Sequence, residues 1–295
     1  MPIRWVVNGY YRSGTTILFY VIKKSHPEML HLYEPLLPIL VETVKSHPVG
    51  SVVELHGLEG IFDDYYKIPD LDSLFKLHRG MEFNMPLSIE EVVDYLDKID
   101  SLEYDVLIQP NNAHFILGEL KELYDCKVVH IVRNPADCWA SHFPGMQRWV
   151  SPDTPAYKGH PPNIGAFWLY LTFDRLYREY KDYLDELGIT NKSKDVDKFL
   201  ACWYLCNKAA ISNADYVFNI EDVVRNPEIM KPEIDERYYG MLDYNRLKRA
   251  NSYLRYWVDR RLREFGFEEV MYSCLLYTSD AADELDGVDL GGRRI

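Results

Sequence analysis

Residues Gly9 to Thr16 read Gly-Tyr-Tyr-Arg-Ser-Gly-Thr-Thr: two glycines bracket four residues, and two hydroxyls follow. A mostly apolar run (Ile3 to Val7) precedes them and a helical run (Ile17 to Ile22) follows. That order predicts a strand, a tight turn and a helix N-terminus, which aim several backbone N–H groups and the positive end of a helix dipole at one point. Such a point suits a phosphate. The lysine that an ATP or GTP loop carries after its second glycine is Thr15 here, so little remains to grip a transferring γ-phosphate. The cation sits inside the loop, as Arg12.

A second constellation starts where the apolar run Val128 to Val132, with His130 its one polar member, meets Arg133-Asn134-Pro135-Ala136-Asp137-Cys138-Trp139-Ala140-Ser141. Arg133 offers a planar fork to a phosphate, Pro135 suits the first turn of a helix, and Ser141 adds a hydroxyl two turns on. A third stretch runs from Phe218 through Asn219-Ile220-Glu221-Asp222 to Pro227.

In this order the three stretches resemble the 5′-phosphosulfate loop, the 3′-phosphate motif and the late strand-and-turn signature of sulfotransferases that use 3′-phosphoadenosine 5′-phosphosulfate (PAPS). Asn219 and Ile220 stand where arginine and tyrosine are usual. The resemblance spans residues 5 to about 227 and implies a P-loop NTPase-like sulfotransferase fold, a three-layer α/β sandwich around a parallel sheet. It implies PAPS as cofactor, held by Arg12, Ser13, Gly14, Thr15, Thr16, Arg133 and Ser141. It also implies metal-independent transfer of a sulfonyl group to a hydroxyl, on a carbohydrate or another polar small molecule. Many members have lysine in place of Arg12. Arginine keeps the charge and cannot act as a proton donor, so its catalytic role is electrostatic.

The acceptor's proton needs a base. Glu34, in a Tyr-Glu-Pro context after the second expected strand, falls where carbohydrate- and tyrosine-directed members carry a glutamate; the alternative is that it pairs with Arg12 or caps a helix. His114 and His31 are its rivals. The lysine that the family often has just before the proline at 110 is replaced by Gln109, and Gln109 or Asn111 can substitute only by hydrogen bonding.

Strands are expected at Ile3–Asn8, Met29–Tyr33, Tyr104–Gln109, Lys127–Val132 and Tyr216–Ile220. Helices are expected at Gly14–Lys24, Leu36–Ser46, Ile89–Ile99, Asn112–Tyr124, Pro135–Phe143, Ala166–Leu187 and Val196–Ser212, and Leu254 to Phe267 resembles the family's closing helix and its exit. Strands alternating with helices call for a parallel sheet covered on both faces, with ligands at the strands' C-terminal ends. Residues 1–273 read as one domain. Within it, residues 47–103 read as an acceptor-side insertion whose aromatic, charged part ends near residue 88. The proline-rich 144–164 reads as a flexible loop or lid, with Asn163 and Phe167 as candidate contacts to adenine or acceptor. Trp5, Trp139 and Trp203 read as core, and Glu221 and Asp222 as helix caps.

Cys274 to Glu284 and Gly287 to Ile295 resemble translated sequencing-adapter and primer sequences, so residues 274–295 are read as a disordered, non-native tail. The net charge of −13 and the lack of a basic stripe disfavour nucleic-acid and membrane-surface partners. No apolar run approaches a membrane span, and Met1 directly ahead of the first strand leaves no room for a leader, so the expected location is cytoplasmic. Cys126, Cys138, Cys202 and Cys206 read as reduced structural thiols. Two further function classes stay open: a P-loop kinase-like phosphotransferase, and a non-catalytic nucleotide- or glycan-binding module of the same fold.

Overall fold

The computed structural model describes residues 3–53, 57–143, 164–231, 233–243 and 247–271. The expected loop at 144–163, Asn163, the side chain of Phe167 and the tail at 274–295 lie outside the described residues.

In chain order the elements are β1 (Ile3–Gly9), α1 (Thr15–Ser25), β2 (Leu30–Tyr33), α2 (Leu40–Ser46), β3 (Val52–Val53), β4 (Leu58–Glu59), α3 (Leu71–Leu77) and α4 (Ile89–Asp100). Then come β5 (Val106–Gln109), α5 (Leu117–Tyr124), β6 (Lys127–Val132), α6 (Pro135–His142), α7 (Ile164–Glu179) and α8 (Lys181–Glu186). The chain continues through α9 (Asp195–Ile211), β7 (Tyr216–Asn219), α10 (Ile220–Arg225) and α11 (Ser252–Phe265). Five strands form one sheet in the order β2-β5-β1-β6-β7, every neighbouring pair parallel. Their apolar runs are almost wholly buried, as a sheet covered on both faces requires. One apolar core lies on the α1, α4 and α5 side; the other is built by α6, α7, α9 and α11. Among the described residues no helix is long and apolar enough to cross a membrane.

The topology fixes where a ligand can sit. From β1 the chain crosses toward β2, whereas from β6 it crosses the opposite way, to β7. The crevice beyond the C-terminal ends of β1 and β6 is therefore a switch point, where loops diverge and leave room. The glycine loop follows β1, and Arg133 follows β6.

Residues 47–88 form a short antiparallel hairpin (β3 and β4), 3-10 turns and α3. They cover the sheet's edge. The outward backbone groups of β2 are taken by this segment: His31 N–H donates to Asp64 Oδ2 at 2.9 Å, and Tyr65 Oη donates to the Tyr33 carbonyl at 3.0 Å. Lys23 and Lys67 converge on the same buried Asp64. Burial raises the Asp64 pKa, but His31 and the two lysines outweigh it and hold the carboxyl well below its usual range.

Three helices depart from expectation. Helix α2 starts at Leu40 rather than Leu36, since Pro38 lacks an N–H and disfavours helix at Leu37. Helix α5 starts at Leu117 rather than Asn112; Asn111 is left-handed, and Asn112 Nδ2 is bonded to the carbonyls of Leu36 and Phe83. The helix expected from Ala166 to Leu187 is two, α7 and α8, with Tyr180 between them.

Candidate functional site

Gly9 ends β1 and makes the tight turn possible. A Cβ there would lie 2.6 Å from Ser13 Oγ and 2.7 Å from the Ile131 carbonyl oxygen. The loop closes with Ser13 N–H donating to the Tyr10 carbonyl at 3.0 Å. Gly14 takes φ +96° as the N-cap of α1, and no side chain caps that helix, whose first N–H groups have no intrahelical acceptor. Ser13 is 1% exposed, and its Oγ has no partner among the described residues. The loop thus presents uncapped N–H groups beside a buried, uncommitted hydroxyl.

The three motifs meet in space. Arg12 Nε donates to Ser141 Oγ at 3.0 Å, and Arg133 Nη1 donates to the Arg12 carbonyl at 3.0 Å. A Cβ on Gly14 would meet Ile220 Cγ1 at 2.6 Å, so the third motif packs directly under the first. Arg133 also donates from Nε to Glu221 Oε1 at 3.2 Å and from Nη2 to the Lys248 carbonyl. Its fork therefore ties the loop, the third motif and the segment before α11 together. Asp137 supports the same corner by accepting from the Ala250 N–H and from Arg255. The expectation that Glu221 and Asp222 cap α10 is corrected: Asn219 Oδ1 accepts from the Glu221 N–H, and the Glu221 side chain turns to Arg133.

Glu34 lies across the loop from this corner, half-buried, its backbone N–H bonded to the Gln109 carbonyl. Asn111 Nδ2 donates to Glu34 Oε1 at 2.7 Å, while Asn111 Oδ1 accepts from Thr15 Oγ1 at 2.8 Å and from Gln109 Nε2. Thr16 Oγ1 lies 2.8 Å from Tyr33 Oη. The Thr15 hydroxyl proton is thus already bonded to Asn111, which leaves the Thr15 backbone N–H for an anion. Burial raises the Glu34 pKa above the ordinary carboxylate value; bonds from Tyr33 and Asn111 and the charge of Arg12 oppose it. Burial also lowers the Arg12 pKa, with Tyr33 opposing and Arg133 assisting.

Backbone strain gathers here. Four non-glycine residues among those described have positive φ, and three are Arg12 (66°), Glu34 (48°) and Asn111 (56°); the fourth, Asp125, closes α5. Such conformations persist only where the surroundings over-determine them, and they cluster at functional sites.

The rival bases sit elsewhere. His31 is buried against Asp64, where burial lowers its pKa. His114 is fully buried between Tyr10 and His130, with ring centroids at 6.2 and 5.6 Å, and neither ring nitrogen has a partner among the described residues. Burial first, then His130, keeps His114 neutral far below the usual histidine range. Trp139 and Trp203 are buried and Trp5 partly so. The four described cysteines are free and buried.

Sequence reasoning singled out Arg12, Ser13, Gly14, Glu34, Arg133 and Ser141, and the structure brings them near one another at the C-terminal end of the sheet. It missed the parts played by Tyr33, Ile220 and the Lys248 carbonyl, since neither a buried phenol, a packed isoleucine nor a backbone carbonyl carries a sequence signal.

No family model matches the chain. A protein of Archaeoglobus fulgidus described as an uncharacterized protein is 35% identical over 257 residues, covering 77% of this chain and 80% of its own. The chain belongs to the same family as that protein.

Proposed function

We propose that this chain is a PAPS-dependent sulfotransferase acting on a hydroxyl acceptor. One observation carries the reading: Arg12 and Ser141, 129 residues apart in sequence, are hydrogen-bonded at the mouth of an uncapped helix N-terminus, with Arg133 braced behind them. Two guanidinium groups, a buried free hydroxyl and uncapped N–H groups form a donor set that fits phosphate and sulfonate oxygens.

PAPS supplies the sulfonyl group; the chain's residues do the rest. The N–H groups of Gly14, Thr15 and Thr16 and the Ser13 hydroxyl hold the 5′-phosphate, and Ser141 with Arg133 receives the 3′-phosphate. Arg12 stabilises charge as it builds on the departing phosphate oxygen, an effect worth about 3–4 kcal/mol for one well-placed donor. Glu34 takes the acceptor's proton as the new S–O bond forms and the S–O bond to the 5′-phosphate breaks. Asn111, donating to Oε1, and Tyr33 together hold the Glu34 carboxyl in place. A carboxylate with a raised pKa suits this task near neutral pH. The acceptor is proposed only as a polar hydroxyl compound.

Thermal unfolding of the chain with 3′,5′-adenosine bisphosphate, ADP and ATP–Mg²⁺ tests the reading. At ~100 times its Kd, a ligand specific for the folded state adds about 2.7 kcal/mol. Stabilisation by the bisphosphate alone, reduced in Arg12→Ala and Ser141→Ala, is expected. Stabilisation by ATP–Mg²⁺ instead would favour a phosphotransferase, and bisphosphate binding with no dependence on Glu34 in any transfer assay would favour a binding module.

A further inference from the structure

Arg133 is unusually committed for a residue awaiting an anion. Three of its five N–H groups already serve Glu221, the Arg12 carbonyl and the Lys248 carbonyl, and the residue is 3% exposed. Its charged partner raises a sharper question. Glu221 Oε1 accepts from Arg133, while Oε2 is buried and no donor reaches it among the described residues. The backbone at Glu221 is held by its N–H donating to Asn219 Oδ1, and the carboxyl by Arg133. An ionised Glu221 would leave one oxygen dry and bare, and would set a like charge beside the corner where a phosphate must settle.

We propose that Glu221 is a proton-linked positioning residue: an anion entering the corner between Arg133 and Ser141 binds together with one proton, taken from solvent onto Glu221 Oε2. The carboxyl then meets the anion as a hydrogen-bond donor while Oε1 keeps Arg133 in place. This rests on the reading that the corner holds a nucleotide phosphate. The titratable and charged groups facing Glu221 are Arg133 from the end of β6 and Asp137 and the Cys138 thiol from α6; Asp222 and Arg225 belong to its own helix, and Lys248 contributes a carbonyl. Burial raises the Glu221 pKa, Arg133 lowers it and Asp137 raises it, for a net rise. The carboxyl is thus already biased toward accepting a proton before any ligand arrives.

The sign follows from linkage. Binding that takes up a proton weakens as pH rises, by up to tenfold per pH unit. The bisphosphate's own ionisation, near pH 6, contributes to any raw profile, so the comparison is with Glu221→Gln, whose amide keeps an acceptor for Arg133 and supplies an N–H without charge. Calorimetric titration of the full chain with 3′,5′-adenosine bisphosphate, in buffers of different ionisation enthalpy between pH 6 and 8, counts the protons. Wild type is expected to take up close to one proton more than Glu221→Gln, and to lose affinity more steeply with pH. With 5′-AMP, which lacks the 3′-phosphate, the two should not differ. Should Glu221→Gln fold poorly, infrared difference spectra of wild type on adding the bisphosphate must show a new protonated-carboxyl band. Equal proton counts with the bisphosphate bound, or no such band, overturns the proposal and leaves the sulfotransferase reading standing. No bisphosphate binding at any pH overturns both.

Discussion

Two buried polar networks flank the sheet near its functional end, and they terminate differently. On the α1 side, Thr15 and Gln109 donate to Asn111, and Asn111 donates to Glu34, so the network ends on a half-buried carboxylate beside the loop. On the α9 side, Asn8 Nδ2 donates to His130 Nδ1 at 3.2 Å and His130 Nε2 donates to Asn207 Oδ1 at 2.9 Å, with Asn207 Nδ2 anchored on the Trp203 carbonyl. That network fixes the neutral Nε2–H tautomer of His130 and ends in the interior. His114 stands next to it with both nitrogens unpartnered among the described residues. Both networks hold titratable groups in dry surroundings, yet one delivers a group to the crevice and the other locks groups away. Burial alone does not make a site; what matters is whether the last member of the chain of hydrogen bonds reaches a place where a substrate can stand.

The largest expected effect falls on the α1 side. Glu34→Gln should lower turnover by roughly 10²–10⁴-fold, the usual contribution of a positioned base, while the bisphosphate still shifts the melting temperature as in wild type. Wild-type turnover should rise with pH through the elevated Glu34 pKa and level off above it, because the base works deprotonated. Rates that ignore both the substitution and this limb would move the reacting end to the other side of the sheet.

A smaller effect belongs to the α9 side, and to stability rather than rate. Burial lowers the His130 pKa to about 4, against bonds to Asn207 and Asn8, whereas an unfolded histidine titrates near 6.5. Stability tied to neutral His130 is complete above about pH 6.5 and is lost as pH falls toward 4, by roughly 3 kcal/mol at full effect. Urea midpoints measured from pH 7 to 4.5 should therefore fall less steeply in His130→Gln than in wild type. The histidine at 78, also lowered by burial to about 4, contributes equally to both chains and cancels.

The smallest effect is expected at His114→Phe. It removes two nitrogens that have no partners among the described residues, so turnover should stay within about threefold and the urea midpoint should hold or rise. A hundredfold loss of turnover with the fold intact would make His114 the base and reverse the comparison.

How far the sequence is legible differs between the same two sides. Strand β6, α6 and the glycine loop announce themselves by apolar runs, Pro135 at a helix start and glycines where a Cβ cannot fit, so the corner of Arg12, Arg133 and Ser141 is readable residue by residue. Glu34 is readable only through its Tyr-Glu-Pro context. The role of Asn111 is not, because it depends on a left-handed backbone and on β2 lying beside β5, a pairing between residues 30–33 and 106–109 that no local pattern encodes. His130 shows as the one polar residue in an apolar strand, but its partners Asn8 and Asn207 are 122 and 77 residues away. Side chains that act through local geometry leave a trace in sequence, and those that act through long-range register do not.

The fork of Arg133 also orders events in time. It joins Arg12, 121 residues earlier, to Lys248, 115 residues later. At ~5–20 residues per second of synthesis, the loop emerges tens of seconds before the segment that completes its brace. A nascent or truncated chain lacking that segment has the loop without its full support, so the corner of Arg12, Arg133 and Ser141 matures only when nearly the whole domain is in place.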